Sequence, residues 1–515
     1  MKRIVCLLLS ILMVLGLFCG CAGEKAPHVP TGDGLTWDED YTGPIYTKPQ
    51  DEQEQAITLT YYPDRTMNPI LSVDFTNRAL FSLLYQGLFT VDRNYTVEPM
   101  LCSRYAMSED MRSYTFFIDS ATFSDGTALT VQDVFACLQT AKESDYYGGR
   151  FLHVADIRLS EDGGVTVQMD TPCENLPLLL DIPIIKQSEL EHDRPLGTGP
   201  YFLDTTSGSL RLRRRTDWWC SADMTVKADL IPLTEAGSAA QIRDQFEFAD
   251  LSLVCADPGS DRYADYRCDY ELWDCENGIF LYLTTSASSS VFSVPEVRKA
   301  LTHAIDRDTL TAQYYRGYAR SATLPASPLS PYYAQPLAEK YGYDSVKFAQ
   351  AVSDAGLKDS TVLFLVNSDD SLRVRVARAI GQMLTDCGLN VQMEELSGSA
   401  YQFALKAWNF DIYLGQTKLS PNMDLTPFFS SYGELSWGGV NNAAAYALCQ
   451  EALANQGNYY TLHQTVMENG LLCPVLFRSY AVYATRGLLT GLTPSRDNVF
   501  YYSIGKNMTQ ALISQ

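Results

Sequence analysis

The residue types that most often carry chemistry are thinly spread along this chain. Its five histidines (His28, His153, His192, His303 and His463) stand apart, none within four residues of another. A metal or acid–base centre would therefore have to be assembled wholly by the fold, and on spacing alone each histidine reads as structural. Beyond Cys6, Cys19 and Cys21 there are ten scattered cysteines: Cys102, Cys137, Cys173, Cys220, Cys255, Cys268, Cys275, Cys387, Cys449 and Cys473. No C-x-x-C pair occurs, so neither a zinc module nor a tight disulfide framework is indicated, and no metal site is expected. The chain has no G-x-S-x-G, H-E-x-x-H, Walker-type or G-x-G-x-x-G sequence. A hidden carboxylate pair of the glycosidase kind has no mark in the sequence. No catalytic residue and no cofactor is marked by these residues.

Composition bounds the class of protein. The 515 residues are 46% hydrophobic and carry 39 Lys plus Arg against 61 Asp plus Glu, a formal net charge of −22. That is enough apolar material for several cores, and a charge that repels nucleic acid at long range.

The elements that would position a site alternate between helix and strand from Ala56 onward, an α/β pattern. Thr130 with Asp133 has the form of a capping box, and Val131, Val134, Phe135 and Leu138 follow on one face. A second helix is expected to start at Ser293, with Val297, Ala300, Leu301, Ala304 and Ile305 in register. A third runs from Ser371 to Cys387 and stops at Gly388. Leu389, Val391 and Met393 then alternate with polar residues as a half-buried strand. Asp162-Gly163-Gly164 joins two strand-like runs into a hairpin.

The N-terminus reads as an export signal. Lys2 and Arg3 precede an apolar run from Ile4 to Phe18, too short for a comfortable membrane span. Phe18-Cys19-Gly20-Cys21 resembles a bacterial lipobox, which would make residues 1–20 the signal and Cys21 the lipidated first residue. Residues 21–55, rich in Pro, Gly, Asp, Glu and Thr, then form a tether of about 30–35 Å root-mean-square reach. The expected location is the cell membrane, anchored by lipid on the extracellular or periplasmic face.

A set of short motifs in fixed order resembles a known family. Asn68-Pro69 leads to Leu83-Leu84-Tyr85-Gln86-Gly87-Leu88. Tyr114-Thr115-Phe116 leads to Phe123-Ser124-Asp125-Gly126 and to the stretch Leu129–Val134. Gly197-Thr198-Gly199-Pro200-Tyr201, Asp217-Trp218-Trp219, the run Val297–Leu301 and Ala304-Ile305-Asp306-Arg307 complete the series. Together they resemble the extracellular solute-binding proteins of family 5, the oligopeptide-, dipeptide- and nickel-binding components of ABC importers, over residues 56–510. On their own residues the same motifs read as scaffold: tight turns at the glycines, a helix cap at Asp306, core at Tyr85 and Trp218–Trp219.

The resemblance implies a two-lobed, periplasmic-binding-protein-like fold of class II, with mixed sheets flanked by helices. Lobe I would take 56–268 and 482–515, with an extra subdomain at 86–190, and lobe II would take 269–481. It implies a cleft that closes on ligand, ABC permease subunits as partners, and a monomer. Implied ligand-binding positions are Arg65, Thr66 and Asn68 at the cleft mouth, Tyr146 and Tyr147 past the Thr130 helix, Asn367 at a strand end, and Arg478 near the second crossover. Gln416, Thr417 and Lys418 occupy the stretch where peptide-binding members have G-W-x-x-D-Y. Here the Trp position is Gln416 and the Asp position is Leu419. A buried ammonium without a carboxylate partner is costly, so either Asp424 takes that role or the ligand's bound end is not an amine. The ligand is expected to be a short peptide. The alternatives are a non-peptide solute, or a peptide-sensing receptor that transports nothing. Without a histidine cluster, direct nickel coordination is disfavoured.

Overall fold

The computed structural model describes residues 57–259, 266–489, 491–496, 498–506 and 510–513. The expected signal, Cys21 and the tether to residue 55 lie outside them. Among the described residues no helix is long and apolar enough to cross a membrane.

The chain opens with Leu59–Tyr61, which pairs in parallel with Leu230–Glu235. Arg211–Arg214 and Tyr201–Asp204 complete that four-stranded sheet in antiparallel fashion. A five-stranded sheet in the order Gln510–Ile513, Cys102–Ser108, Ser113–Ile118, Val165–Met169, Val154–Leu159 lies alongside. Its edge is the expected hairpin, with Gly163 at φ 82° in the turn. The helix Val131–Lys142 has the expected capping box: Thr130 Oγ1 accepts from Asp133 N, and the Asp133 carboxylate accepts from Thr130 N.

The third sheet has seven strands and is built on two long ones, Tyr270–Thr285 and Cys473–Thr485, antiparallel to each other. Cys473–Thr485 also pairs with Leu253–Ala256, and Tyr270–Thr285 pairs with Ile412–Lys418, which runs parallel to Thr361–Asn367 and through it to Asn390–Leu396. The register between the two long strands shifts between Glu276 and Phe280, at a bulge holding Gly278 with φ 73°.

Buried apolar residues divide at this bulge. One core draws on residues from Ile57 to Leu253 and returns at Cys275, Val482, Ala484 and Leu489 to Phe500. The other side holds two clusters, built almost wholly from residues between Phe280 and Phe477. Val91, Tyr95 and Leu178 cross the divide and pack into the second side.

Two expectations need adjustment. The helix expected from Ser293 starts at Pro295, with Val294 in the cap position and no side-chain cap bond, and passes into a 3-10 turn at Leu301–Ala304. Pro295 supplies the preset φ of a first helical turn, so no capping side chain is required. The five apolar positions are nevertheless all buried. The glycines of Gly197-Thr198-Gly199 serve close approach: a Cβ at either would collide with the backbone of Leu83–Leu84.

Candidate ligand-binding site

The cleft side of the first core begins with a short helix, Phe75–Arg78. Asp74 caps it by accepting from Asn77 N at 3.1 Å and also pairs with Arg65, whose guanidinium lies 4.0 Å from the Tyr62 ring. Arg65, Tyr62, Asp74, Phe75, Asp257 and Tyr480 line a cavity of about 260 Å³. Phe75 and Tyr480 stack there at 3.7 Å. Thr66 and Asn68 are spent on the loop itself. Asn68 is fully buried: its Nδ2 donates to Leu190 O and His192 O, while its Oδ1 accepts from Ile70 N. Thr66 Oγ1 accepts from Asn68 N. Asn68 thus fixes the loop that presents Arg65.

At the other end of the helix, the Arg78 guanidinium lies 3.5 Å from the Tyr146 ring centroid and donates to Tyr147 Oη at 2.7 Å. Tyr147 is 2% exposed. It lines a pocket with Arg78, Arg150 and Asp181. Tyr146 is half-buried and faces the second side. Lys418, at the end of Ile412–Lys418, donates to Tyr146 Oη at 2.7 Å with its ammonium 4.2 Å from the ring centroid.

Arg478 sits on the second long strand, beside the divide. Its Nη2 donates to both oxygens of Asp257, at 2.9 and 2.8 Å, and its Nη1 to Gln416 Oε1 at 3.1 Å. Burial alone would lower its pKa, but Asp257, Tyr315 and Asp370 outweigh that and raise it. Arg478 therefore ties the loop after Leu253–Ala256 to the strand bearing Gln416, Thr417 and Lys418. Asn367 closes the turn before Ser371–Asp386 by accepting from Asp369 N at 2.8 Å.

The structure does not turn Asp424 toward a ligand amine. Its Oδ1 accepts from Thr426 N at 2.8 Å, and its Oδ2 from Thr426 Oγ1 at 2.9 Å, with His153 Nε2 at 3.0 Å. This carboxylate, 8% exposed, is used as a structural acceptor that braces its own turn and meets His153. Leu419 is buried among apolar side chains, its N–H donating to Gly278 O and its carbonyl accepting from Arg496 Nη2. Sequence reasoning missed Arg78 and Asp257. Their partners lie far off along the chain, Arg78 69 residues from Tyr147 and Asp257 221 from Arg478, so no spacing marks them.

A family model described as bacterial extracellular solute-binding proteins, family 5 Middle, matches residues 96–438. The chain belongs to that family. Among relatives of this family 5 protein, the oligopeptide-binding protein AppA of Bacillus subtilis is 23% identical over 494 residues, 88% of each chain. The glutathione-binding protein GsiB of Salmonella typhi is 24% identical over 392 residues, 72% of this chain and 74% of that one. The solved structure of the ABC transporter substrate-binding protein CtaP from Listeria monocytogenes superposes with a TM-score of 0.69 at 17% identity, covering 86% of this chain and 97% of that one. The fold of the family 5 protein is accordingly the two-lobed, mixed-sheet type of the periplasmic binding proteins, as the motif order implied.

Proposed function

We propose that this protein is the lipid-anchored substrate-binding component of an ABC importer, capturing a short peptide between its lobes and handing it to the permease. Lobe I comprises 56–268 and 482–515, with the subdomain at 86–190, and lobe II comprises 269–481. The protein acts as a monomer at the outer face of the cell membrane and turns nothing over. The observation that carries this reading is that the aromatic and charged groups on the facing walls come from both sides of the divide: Arg65, Arg78, Tyr146 and Asp257 from one, Gln416 and Lys418 from the other, with Arg478 between them. Contacts that bridge two lobes are the ones able to favour a closed state. The relatives named for oligopeptides and glutathione favour a peptide.

A second reading has its own support. Leu419 stands where peptide-binding members have their carboxylate, and Asp424 is spent elsewhere. Both favour a solute whose anionic end, whether the C-terminus of a peptide or a carboxylate of another compound, is held by Lys418.

A thermal-shift screen of di- to hexapeptides, amino acids, nickel chelates and oligosaccharides tests both. A ligand that binds only the native state at a hundredfold excess over Kd adds about 2.7 kcal/mol. The expected result is a shift with peptides that Lys418→Ala weakens and that C-terminal amidation of the peptide abolishes. A shift insensitive to amidation rejects the anionic-end reading. No peptide hit, with a hit in another class, rejects the peptide.

A further inference from the structure

His153 lies on the seam between the five-stranded sheet and the second side of the molecule. It directly precedes the strand Val154–Leu159, and its carbonyl accepts from Asp170 N at 3.0 Å, so these two residues close the open end of the hairpin. Its Nε2 stands 3.0 Å from Asp424 Oδ2 and 3.1 Å from Thr426 Oγ1, and its Nδ1 stands 3.5 Å from Asp170 Oδ1. The His153 and Asp424 side chains are 14% and 7% exposed, so solvent screens this pair far less than a surface one. Asp424 is held in place by the left-handed backbone of Met423, φ 54°, and by two hydrogen bonds from Thr426. A non-glycine residue in that conformation is strained, and the surroundings must hold it there.

The seam continues into residues 174–178. Glu174 N donates to Leu453 O at 2.8 Å, the Glu174 carboxylate accepts from Gln456 N at 3.0 Å, and Asn175 donates to Tyr332 Oη at 2.9 Å. Leu178 is buried in the second core.

The charged and titratable groups around His153 come from every element packed there. Its own sheet brings Asp170 and Arg112, whose guanidinium donates to Asp170 O at 2.6 Å. The Thr130 helix brings Lys142, whose ammonium donates to Val154 O at 3.0 Å. The segment after the hairpin adds Cys173 and Glu174, and the second side adds Asp424, Cys449 and Tyr459. Burial pushes the Cys173 thiol up to about 12 and raises Cys449 and Tyr459 too, so all three stay neutral. Burial alone would lower the His153 pKa; the hydrogen bond and charge of Asp424, with Asp170, outweigh it, and the net shift is upward.

We propose that His153 is a pH-sensitive clasp between the two sides of the molecule: protonated, it bridges Asp170 and Asp424 and holds the sheet subdomain against the second side; neutral, it releases the seam. The inference goes beyond solute capture and holds whatever the solute is. The proton is bound more tightly in the clasped form, so the clasp is at full strength below the ordinary histidine pKa of about 6.5 and is lost as pH rises through the raised value. The seam is therefore tighter in mild acid and looser in mild alkali.

Hydrogen exchange on the full chain reads this directly, after correction for the intrinsic pH dependence of exchange. The amides of Glu174 and Gln456 report the seam, and the helix Ser371–Asp386 serves as an internal control. In the wild type, seam protection is expected to fall about five- to tenfold between mild acid and mild alkali, the usual size of a coupling between two sites, while the control helix stays constant. His153→Gln keeps hydrogen-bonding atoms but cannot titrate, and its seam is expected to stay at the alkaline wild-type level throughout. Asp424→Asn keeps an acceptor for Thr426 but loses the charge, and should move the midpoint to lower pH. Constant wild-type protection overturns the proposal, as does the same pH dependence in His153→Gln. Should that variant misfold, an NMR titration of the wild-type histidine ring protons decides instead: a His153 that titrates at or below the ordinary value overturns the clasp.

Discussion

His463 lies in the helix Tyr459–Glu468, fully buried, and among the described residues neither ring nitrogen has a hydrogen-bond partner. Burial pushes its pKa down to about 3, so the ring is neutral in the folded protein. The folded form binds fewer protons than the unfolded one wherever pH lies between that value and the ordinary histidine value. Its contribution is therefore present above about pH 6.5 and is lost as pH falls toward 3. Urea denaturation should show stability declining through this window, and His463→Leu should remove part of the decline. At pH 5 the variant should also be more stable, by about 1–3 kcal/mol, because two unmet polar atoms leave the core. An unchanged acid limb in the variant would place the lost stability elsewhere. The sequence revealed none of this. A histidine on an apolar helical face reads the same with or without a partner, and His153 and His463 became a clasp and an orphan only through residues distant in the chain.

Elements are set by nearer information, and there the sequence was legible. Thr130 and Asp133 are three residues apart, so their reciprocal bonds follow from local geometry and could be read before the fold was known. Asp306 likewise caps its helix by accepting from Thr309 N at 3.1 Å. Thr130→Ala should cost about 1 kcal/mol, the usual loss for a cap, seen as a lower melting temperature with an unchanged far-UV spectrum. The Gly197 region marks the limit of such reading. A tight turn was legible there, but the approach of the Leu83–Leu84 backbone, over a hundred residues away, was not. Two substitutions separate these demands. At Gly208, φ 83°, an added methyl group would meet nothing within 4 Å, so Ala should cost only the left-handed penalty of about 1–2 kcal/mol. At Gly197 the added methyl meets backbone that cannot yield, so Ala should cost more than about 3 kcal/mol or prevent folding. Equal melting temperatures for the two variants would show that the contact at Gly197 relaxes freely.

At the scale of the whole molecule, motif order gave the two-lobed fold, because a scaffold shared over some 450 residues leaves many small marks along the chain. The candidate site left few: Arg478 meets Asp257 across 221 residues, and Lys418 meets Tyr146 across 272. Both lobes share one seven-stranded sheet, so any motion between them has to be taken up within the two long strands. The bulge from Glu276 to Phe280 is where their register already shifts. Gly278 within it takes φ 73°, and a Cβ there would come within 3.1 Å of Arg496 Nη2 and 3.4 Å of Leu419 O. Bulges bend strands and raise local twist, so a pivot at this site is the expectation to test. Gly278→Ala strains the bulge at one lobe angle more than another, and so biases the equilibrium on which capture depends. With a peptide from the screen at saturation, the wild type should contract in small-angle scattering. Gly278→Ala should contract less and bind about tenfold more weakly, while its cooperative melt persists. A tenfold loss is about 1.4 kcal/mol, the size of one local backbone strain. If the variant contracts as fully as the wild type, the lobes pivot somewhere other than this bulge.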